Sequence, residues 1–161
     1  RTFREDISVA REVKARLGTK IALAGQHASA FDETLFHEAD FVLMGEYEET
    51  MLDIATGKER NAIPGLFPNS RRPSTDVSKL PWPEDEDVSR LRYAIPGEPN
   101  CEYTEIQMYA SRGCPFHCNY CASGTIYFAG WRPRSVQDVA AEIEALGKIY
   151  PECEGFFLDE E

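Results

Sequence analysis

In the first third of the chain, segments whose apolar residues are spaced as on a helix face alternate with short apolar runs typical of strands. Ile7, Ala10, Val13 and Leu17 share one helix face, whereas the short apolar runs KIALA and DFVLM are typical of buried strands. This alternation predicts a parallel α/β sheet. The predicted order is a helix at 5–17, a strand at 20–24, a loop at 25–29, a helix at 31–38, a strand at 40–44 and a helix at 47–56.

The last third of the chain also contains both strand-like and helix-like spacings of apolar residues. Ile106, Met108 and Ala110 alternate as in a strand, and residues 155–158 read as a second strand. Ser135 is placed to cap a helix, with Asp138 three positions on. The result is a strand, loop, helix and strand, which begins a second α/β domain. The apolar face of the helix consists of Val136, Val139, Ile143, Leu146 and Ile149, and Pro151 ends it.

Residues 58–104 break this pattern and predict a linker that crosses a surface. They hold seven of the ten prolines and the acidic run Glu84–Asp87. The segment Leu80–Pro83 is predicted to pin the linker locally. The chain is therefore divided into 1–57, a proline-rich acidic linker at 58–104, and 105–161.

Composition narrows the class of protein. Among 161 residues, 28 are acidic and 17 basic, for a net charge of −11, which argues against nucleic acid as a partner. No apolar run approaches the roughly 18 residues of a membrane span. The first residues carry no secretory signal, so we expect a cytoplasmic protein. The chain opens without Met and stops just after a predicted strand, so we expect a segment of a longer protein.

Three of the five cysteines form a tight cluster, Cys114, Cys118 and Cys121, spaced C-x3-C-x2-C. In a reducing compartment clustered thiols more often bind metal than form disulfides. Soft thiolates favour zinc or an iron–sulfur cluster. A structural zinc site needs four ligands, and the alternative interpretation supplies the fourth from Cys101. With three thiolates on a four-iron cluster, one iron stays open for a substrate or cofactor.

The three cysteines, with Tyr120 before the third, resemble the signature of the radical S-adenosylmethionine (SAM) superfamily. The resemblance implies that Cys114, Cys118 and Cys121 hold a four-iron four-sulfur cluster whose fourth iron binds SAM. It implies reductive cleavage of SAM, an electron donor such as flavodoxin or ferredoxin, and Tyr120 against the adenine. Asp159 and Glu160, at the end of the next strand, become candidates for the SAM amino group; adjacent strand residues point oppositely, so we expect one of them to serve.

Residues 20–56, with the flanks Ser111–Gly113 and Arg132–Ser135, are similar to the cobalamin-binding branch of that superfamily. The usual turn has two adjacent glycines, where this chain has Ala24 and Gly25. The resemblance implies the end of a flavodoxin-like (Rossmann-type) parallel-sheet domain, followed by the first βαβ unit of a partial TIM-type (βα) barrel. The candidate cobalamin-binding residues are Gly25, Gln26, His27, Gly45 and Glu46.

The resemblance implies an enzyme that uses SAM, and cobalamin as methyl carrier, for methyl transfer to an unactivated centre or for radical rearrangement. The expected substrate is a small molecule: a natural product, a lipid or a tetrapyrrole-like compound. One alternative is a radical SAM methylthiotransferase, although residues 1–100 contain no cysteine for the second cluster of such enzymes. Another is a zinc-stabilised binding module without activity. A third is that this segment is inert, since a complete barrel needs roughly 200 residues or more.

Overall fold

A computed structural model of the chain describes residues 3–30, 35, 37–83, 105–121 and 130–159. It divides into two compact units. The first unit contains Arg1–Thr75 and Cys114–Gly130, and the second contains Asp76–Gly113 and Trp131–Glu161. Each unit is a mixed α/β structure that contains a short parallel ladder.

The first unit confirms the predicted alternation of helices and strands. Strand β1 (Ala22–Leu23) pairs in parallel with β2 (Phe41–Val42), with Ala22 opposite Phe41 and Leu23 opposite Val42, so both strands are shorter than predicted. The first helix ends at Gly18, whose φ of 63° suits a residue without a Cβ. Its elements are α1 (Phe3–Leu17), β1 (Ala22–Leu23), α2 (Gln26–Ala30), β2 (Phe41–Val42) and α3 (Glu48–Ala55).

Two sequence predictions in this unit were wrong. Leu17 is exposed, so the apolar face of α1 does not extend to its last residue. The loop predicted at 25–29 is largely helix α2, because the Ser29 amide donates to the Gly25 carbonyl at 3.0 Å and closes a helical turn. Of the helix predicted at 31–38, Leu35 is helical and buried; residues 31–34 and 36 lie outside the described part.

Part of the predicted linker packs into the first unit. Ile63 and Leu66 are fully buried, and Leu66 forms an antiparallel bridge with Leu43 just after β2. The Met44 amide donates to the Gly65 carbonyl at 2.7 Å. Residues 58–75 thus include core positions as well as a 3₁₀ turn at Arg60–Ala62. The three predicted domain boundaries stay a prediction.

The second unit confirms the strand–loop–helix–strand order. Strand β3 (Glu105–Tyr109) runs parallel to β6 (Gly155–Asp159) over five residue pairs, from Glu105 with Gly155 to Tyr109 with Asp159. A short antiparallel ladder of β4 (Ser111–Arg112) with β5 (Arg132–Pro133), which the sequence did not predict, pairs Ser111 with Pro133. The elements are β3 (Glu105–Tyr109), β4 (Ser111–Arg112), β5 (Arg132–Pro133), α4 (Val136–Ile149) and β6 (Gly155–Asp159).

Helix α4 covers the β3–β6 ladder. Ile106 and Met108 from β3 meet the buried face of α4 around Leu146, and Tyr150 closes the cluster. The predicted cap is confirmed: the Ser135 hydroxyl accepts a hydrogen bond from the Asp138 amide at 3.1 Å. The predicted apolar face holds in the middle of the helix but not at its ends, since Val136 and Ile149 are exposed. The flavodoxin-like and barrel assignments stay predictions.

Candidate functional site

The turns that leave β1 and β2 carry the candidate cobalamin-binding residues. Gly25 follows β1 and Gly45 follows β2, with φ of 101° and 74°, a backbone region that favours glycine. A Cβ built on either glycine meets nothing within 4 Å, so both backbones border open space. Because the strands are parallel, these turns leave the same edge of the ladder. This geometry fits a ligand that approaches the backbone closely.

The hydroxyl of Ser29 joins the two turns. It donates to the Gly25 carbonyl at 2.9 Å and accepts from the Gly45 amide at 2.8 Å. Ser29 is 2% exposed, so both bonds are made away from bulk water. We call the set Gly25, Ser29 and Gly45 the glycine clasp. The two hydrogen bonds of the clasp fix the spacing of the two turns.

A buried carboxylate lies next to the clasp. Glu46 is buried, and its Oε2 accepts a hydrogen bond from the Thr75 amide at 2.6 Å. The Arg71 guanidinium donates to the Ser29 carbonyl at 2.6 Å. The segment 71–75 is therefore tied to both turns. Glu46 acts here as an anchor for the chain that follows, in addition to the cofactor role predicted for it.

Gln26 and His27 open α2 and are both exposed. The His27 ring stacks on Phe3, with ring centroids 4.1 Å apart and planes 23° apart. Its position is therefore set by α1 as well as by the turn. Gly25, Gln26 and His27 lie at the start of α2, and Gly45 and Glu46 follow β2 in the same unit. Cobalamin binding by these residues stays a prediction.

The cysteine segment presents its thiols outward. Cys118 and Cys121 are exposed, Cys114 is half-buried, and all three are free of disulfides. The Cys121 amide donates to the Cys118 carbonyl at 3.0 Å, which makes a tight turn between the second and third cysteines. Within residues 3–30, 35, 37–83, 105–121 and 130–159, no three His, Cys, Asp or Glu side chains are grouped closely enough to hold a metal ion. The donor chemistry fits an iron–sulfur cluster, and the ligand set stays a prediction.

The remaining SAM candidates are placed as follows. Tyr120 is 92% exposed, so its ring is available to a ligand. Asp159 ends β6, in register with Tyr109 of β3, and only its backbone is described. Glu160 lies outside the described residues.

The two sequence flanks of the cysteine segment pair with each other. Ser111 and Arg112 form β4, Arg132 and Pro133 form β5, and the residues between them include all three cysteines. Pro133 is tolerated because a proline at an edge position needs no ladder donor. This pairing was not visible in the sequence, since two-residue strands have no period to detect.

Arg134, which directly follows β5, binds groups of its own unit. Its guanidinium donates to the Tyr109 carbonyl at 2.8 Å and to the Asp138 carboxylate at 2.7 Å. It also lies 2.7 Å from the carboxylate of Glu142, which is 2% exposed. The Trp82 indole donates to the Asp138 carboxylate at 3.0 Å, a contact between residues 56 positions apart in the second unit. The hydrogen bond from Arg134 holds the pKa of Asp138 below its usual value.

Sequence reasoning missed Ser29, Arg71 and Thr75 at the first site and Glu142 in the second unit. Ser29 sits four residues after Gly25, and a small hydroxyl residue at that spacing from a turn glycine is the signal that was available. Arg71 and Thr75 lay in the predicted linker, where a proline-rich composition gave no reason to expect contacts. Glu142 interrupts an apolar helix face, a position that predicts a buried cation partner.

No family model matches the chain. Among curated proteins it is similar to an uncharacterised methyltransferase of Pyrococcus horikoshii, with 29% identity over 156 residues, 87% of this chain and 33% of that protein. It is 30% identical over 123 residues to the anaerobic magnesium-protoporphyrin IX monomethyl ester cyclase of Synechocystis, 70% of this chain and 24% of the cyclase. A third relative is the bacteriochlorophyllide d C-8(2)-methyltransferase of Chlorobaculum tepidum. It is 23% identical over 147 residues, which cover 91% of this chain and 31% of that enzyme.

These relatives are enzymes, and two of the three are named methyltransferases. The chain spans about a quarter to a third of the length of the relatives it matches. In the part of the chain that the structure describes, no helix is both long enough and apolar enough to cross a membrane.

Proposed function

We propose that this chain is part of a radical SAM enzyme that uses cobalamin to methylate an unactivated centre. The observation that carries the proposal is the motif of Cys114, Cys118 and Cys121 with Tyr120. Similarity to two methyltransferases and a cyclase supports an enzyme of this kind. When bound, a reduced four-iron cluster supplies the electron that cleaves SAM.

The cysteine segment supports cluster binding through its exposure. Cys118 and Cys121 are exposed to solvent and form no disulfide, and a cluster assembles on thiols that it can reach. In this proposal Tyr120 binds the adenine of SAM and Asp159 or Glu160 accepts a hydrogen bond from its amino group. A carboxylate opposite an ammonium forms a charge-assisted hydrogen bond, which orients the cofactor.

The glycine clasp supports cobalamin binding. Gly25 and Gly45 leave the carboxyl edge of a parallel ladder, where ligands of open α/β sheets bind. Their backbones border open space, and Ser29 holds the two turns in register. In this proposal Gly25, Gln26, His27 and Gly45 line the cofactor, and Glu46 supports them from the buried side.

The names of the relatives support one substrate class over the others. Two of them are named for work on tetrapyrroles, one as a methyltransferase and one as a cyclase. We therefore place a tetrapyrrole-like small molecule ahead of a lipid or another natural product. Methyl transfer is placed ahead of cyclisation because the methyltransferase names outnumber the cyclase name among these three relatives.

The test is anaerobic reconstitution of the chain with iron and sulfide, followed by counting both per chain. Four iron and four sulfide are expected, and Cys118→Ser should lose most of the iron. Cys153→Ser is the matched control: Cys153 is also a free thiol, and serine keeps its hydrogen bond to the Gly155 carbonyl, 3.0 Å away. One zinc per chain without sulfide, or equal iron in both variants, would contradict the proposal.

Cobalamin binding is tested separately on the reconstituted chain. Retention of hydroxocobalamin through gel filtration is expected, with lower retention in Gly45→Val, whose Cβ would enter the open space at the turn. A chain that assembles the cluster but never retains cobalamin would remove the cobalamin half of the proposal. It would favour the methylthiotransferase alternative.

A further inference from the structure

A cavity lies at the amino edge of the β1–β2 ladder. Lys20 precedes β1 by two residues and Phe41 is the first residue of β2, so this is the edge opposite the glycine clasp. The volume of the cavity is about 400 Å³, within the range of small-molecule sites. It is lined by Lys20, Phe41, Ile54, Lys58, Arg60 and Ile63.

The cavity concentrates positive charge in a chain of net charge −11. Three of its six lining residues are cationic and none is acidic. Lys58 is paired with Asp53 at 3.3 Å. Among the residues that the structure describes, no carboxylate lies within ion-pair distance of Lys20 or Arg60. The nearby Asp40 carboxylate accepts instead from Lys14 at 2.7 Å and from the Ile21 amide at 2.9 Å.

Lys20 and Arg60 are both held against one aromatic ring. The Lys20 Nζ lies 5.8 Å and the Arg60 Cζ 5.1 Å from the centroid of Phe41. Arg60 also donates to the Asp40 carbonyl at 2.7 Å, which fixes its guanidinium at the rim. The two cations are thereby positioned before any ligand arrives, which lowers the entropic cost of binding an anion.

The rest of the lining is apolar. Ile63 is buried, Ile54 and Phe41 are half-buried, and together they supply the apolar part of the lining beside the charges. We propose that this cavity binds a small organic anion, with its aromatic body against the apolar lining of Phe41, Ile54 and Ile63 and its charged group bound by Lys20 and Arg60. None of its lining residues is a candidate cobalamin or SAM residue, so this proposal does not rest on the proposed function.

The probe is phenyl phosphate, which combines a ring with a dianion. Titrated into the isotope-labelled chain, it should shift the amide resonances of Lys20, Phe41 and Arg60 saturably. Arg60→Gln and Lys20→Gln should each weaken binding about tenfold or more, the scale of one lost hydrogen bond to a charged group. Lys148→Gln is the matched control, since Lys148 is an exposed lysine of the second unit.

Two further titrations, with inorganic phosphate and with benzyl alcohol, decide the class of ligand. Inorganic phosphate should bind at least about tenfold more weakly than phenyl phosphate, because it has no ring to rest on Phe41. Benzyl alcohol, which has the ring but no charge, should not saturate the site. The proposal is overturned if phenyl phosphate gives no saturable shift, if inorganic phosphate binds equally well, or if both cation variants bind like the Lys148→Gln control. Lys20→Gln carries the test should Arg60→Gln fail to fold.

Discussion

β1 and β2 pair over two residues each, whereas β3 and β6 pair over five. In the second unit, the long ladder and the apolar face of α4 fix the backbone, and Arg134 ties the helix to the end of β3. In the first unit a two-residue ladder supplies few hydrogen bonds. Its turns are instead fixed by polar side chains, chiefly Ser29 and Glu46. The difference indicates that a short ladder needs side-chain hydrogen bonds where a long one relies on packing.

The largest effect is expected at Arg134 in the second unit. Arg134→Met leaves the buried Glu142 carboxylate without its guanidinium, which should lower the free energy of unfolding by about 3–5 kcal/mol. Urea unfolding followed by tryptophan fluorescence measures this, because Trp82 and Trp131 both belong to the second unit. Lys148→Met, at an exposed position of α4, should change stability by less than about 0.5 kcal/mol. Equal stability of the two variants would mean that packing alone holds α4.

The second-largest effect is expected from a substitution that tests whether residues after 57 belong to the core of the first unit. Leu66 is fully buried, so Leu66→Ala should cost about 3 kcal/mol through lost burial and the cavity left behind. The matched control is Leu52→Ala, since Leu52 is 63% exposed. Hydrogen exchange at the Leu43 and Met44 amides, which are bonded to Leu23 and Gly65, reports the loss. If both variants exchange alike, the segment is only a surface linker, as the sequence predicted.

Ser29→Ala removes the glycine clasp and should have an intermediate effect. The Gly25 carbonyl and the Gly45 amide both lose a partner in a buried site, at a cost of about 1–2 kcal/mol. The expected result is exchange of the Gly45 amide about tenfold faster or more. Ser8→Ala, at an exposed position of α1, should leave that rate unchanged. An unchanged rate in Ser29→Ala would show that the two-residue ladder holds the turns by itself.

The contrast between the two units also explains which features could be predicted from the sequence. The alternation of Ile106 and Met108 and the cap at Ser135 are periodic or local signals, so β3 and the start of α4 were predictable. The contacts of Ser29 with Gly45 and of Glu46 with Thr75 join residues 16 and 29 positions apart. No period encodes such contacts, so the clasp was missed while its glycines were found. Glu142 was missed because a single buried charge interrupts the pattern by which a helix face is recognised.

The smallest effect is the part of the pH dependence of stability that arises at Asp138 of the second unit. Arg134 holds the pKa of Asp138 below its usual value, so the folded chain binds fewer protons at Asp138 than the unfolded chain does. The stabilisation is present above the unfolded pKa of about 3.9 and is lost as the pH falls through the lower folded value. Asp138→Asn should therefore be less stable than the unchanged chain near pH 6, with the gap closing as the pH approaches 2. Asparagine still accepts from Trp82 and retains that bond, so a gap that stays constant with pH would assign the stabilisation to hydrogen bonding rather than to charge.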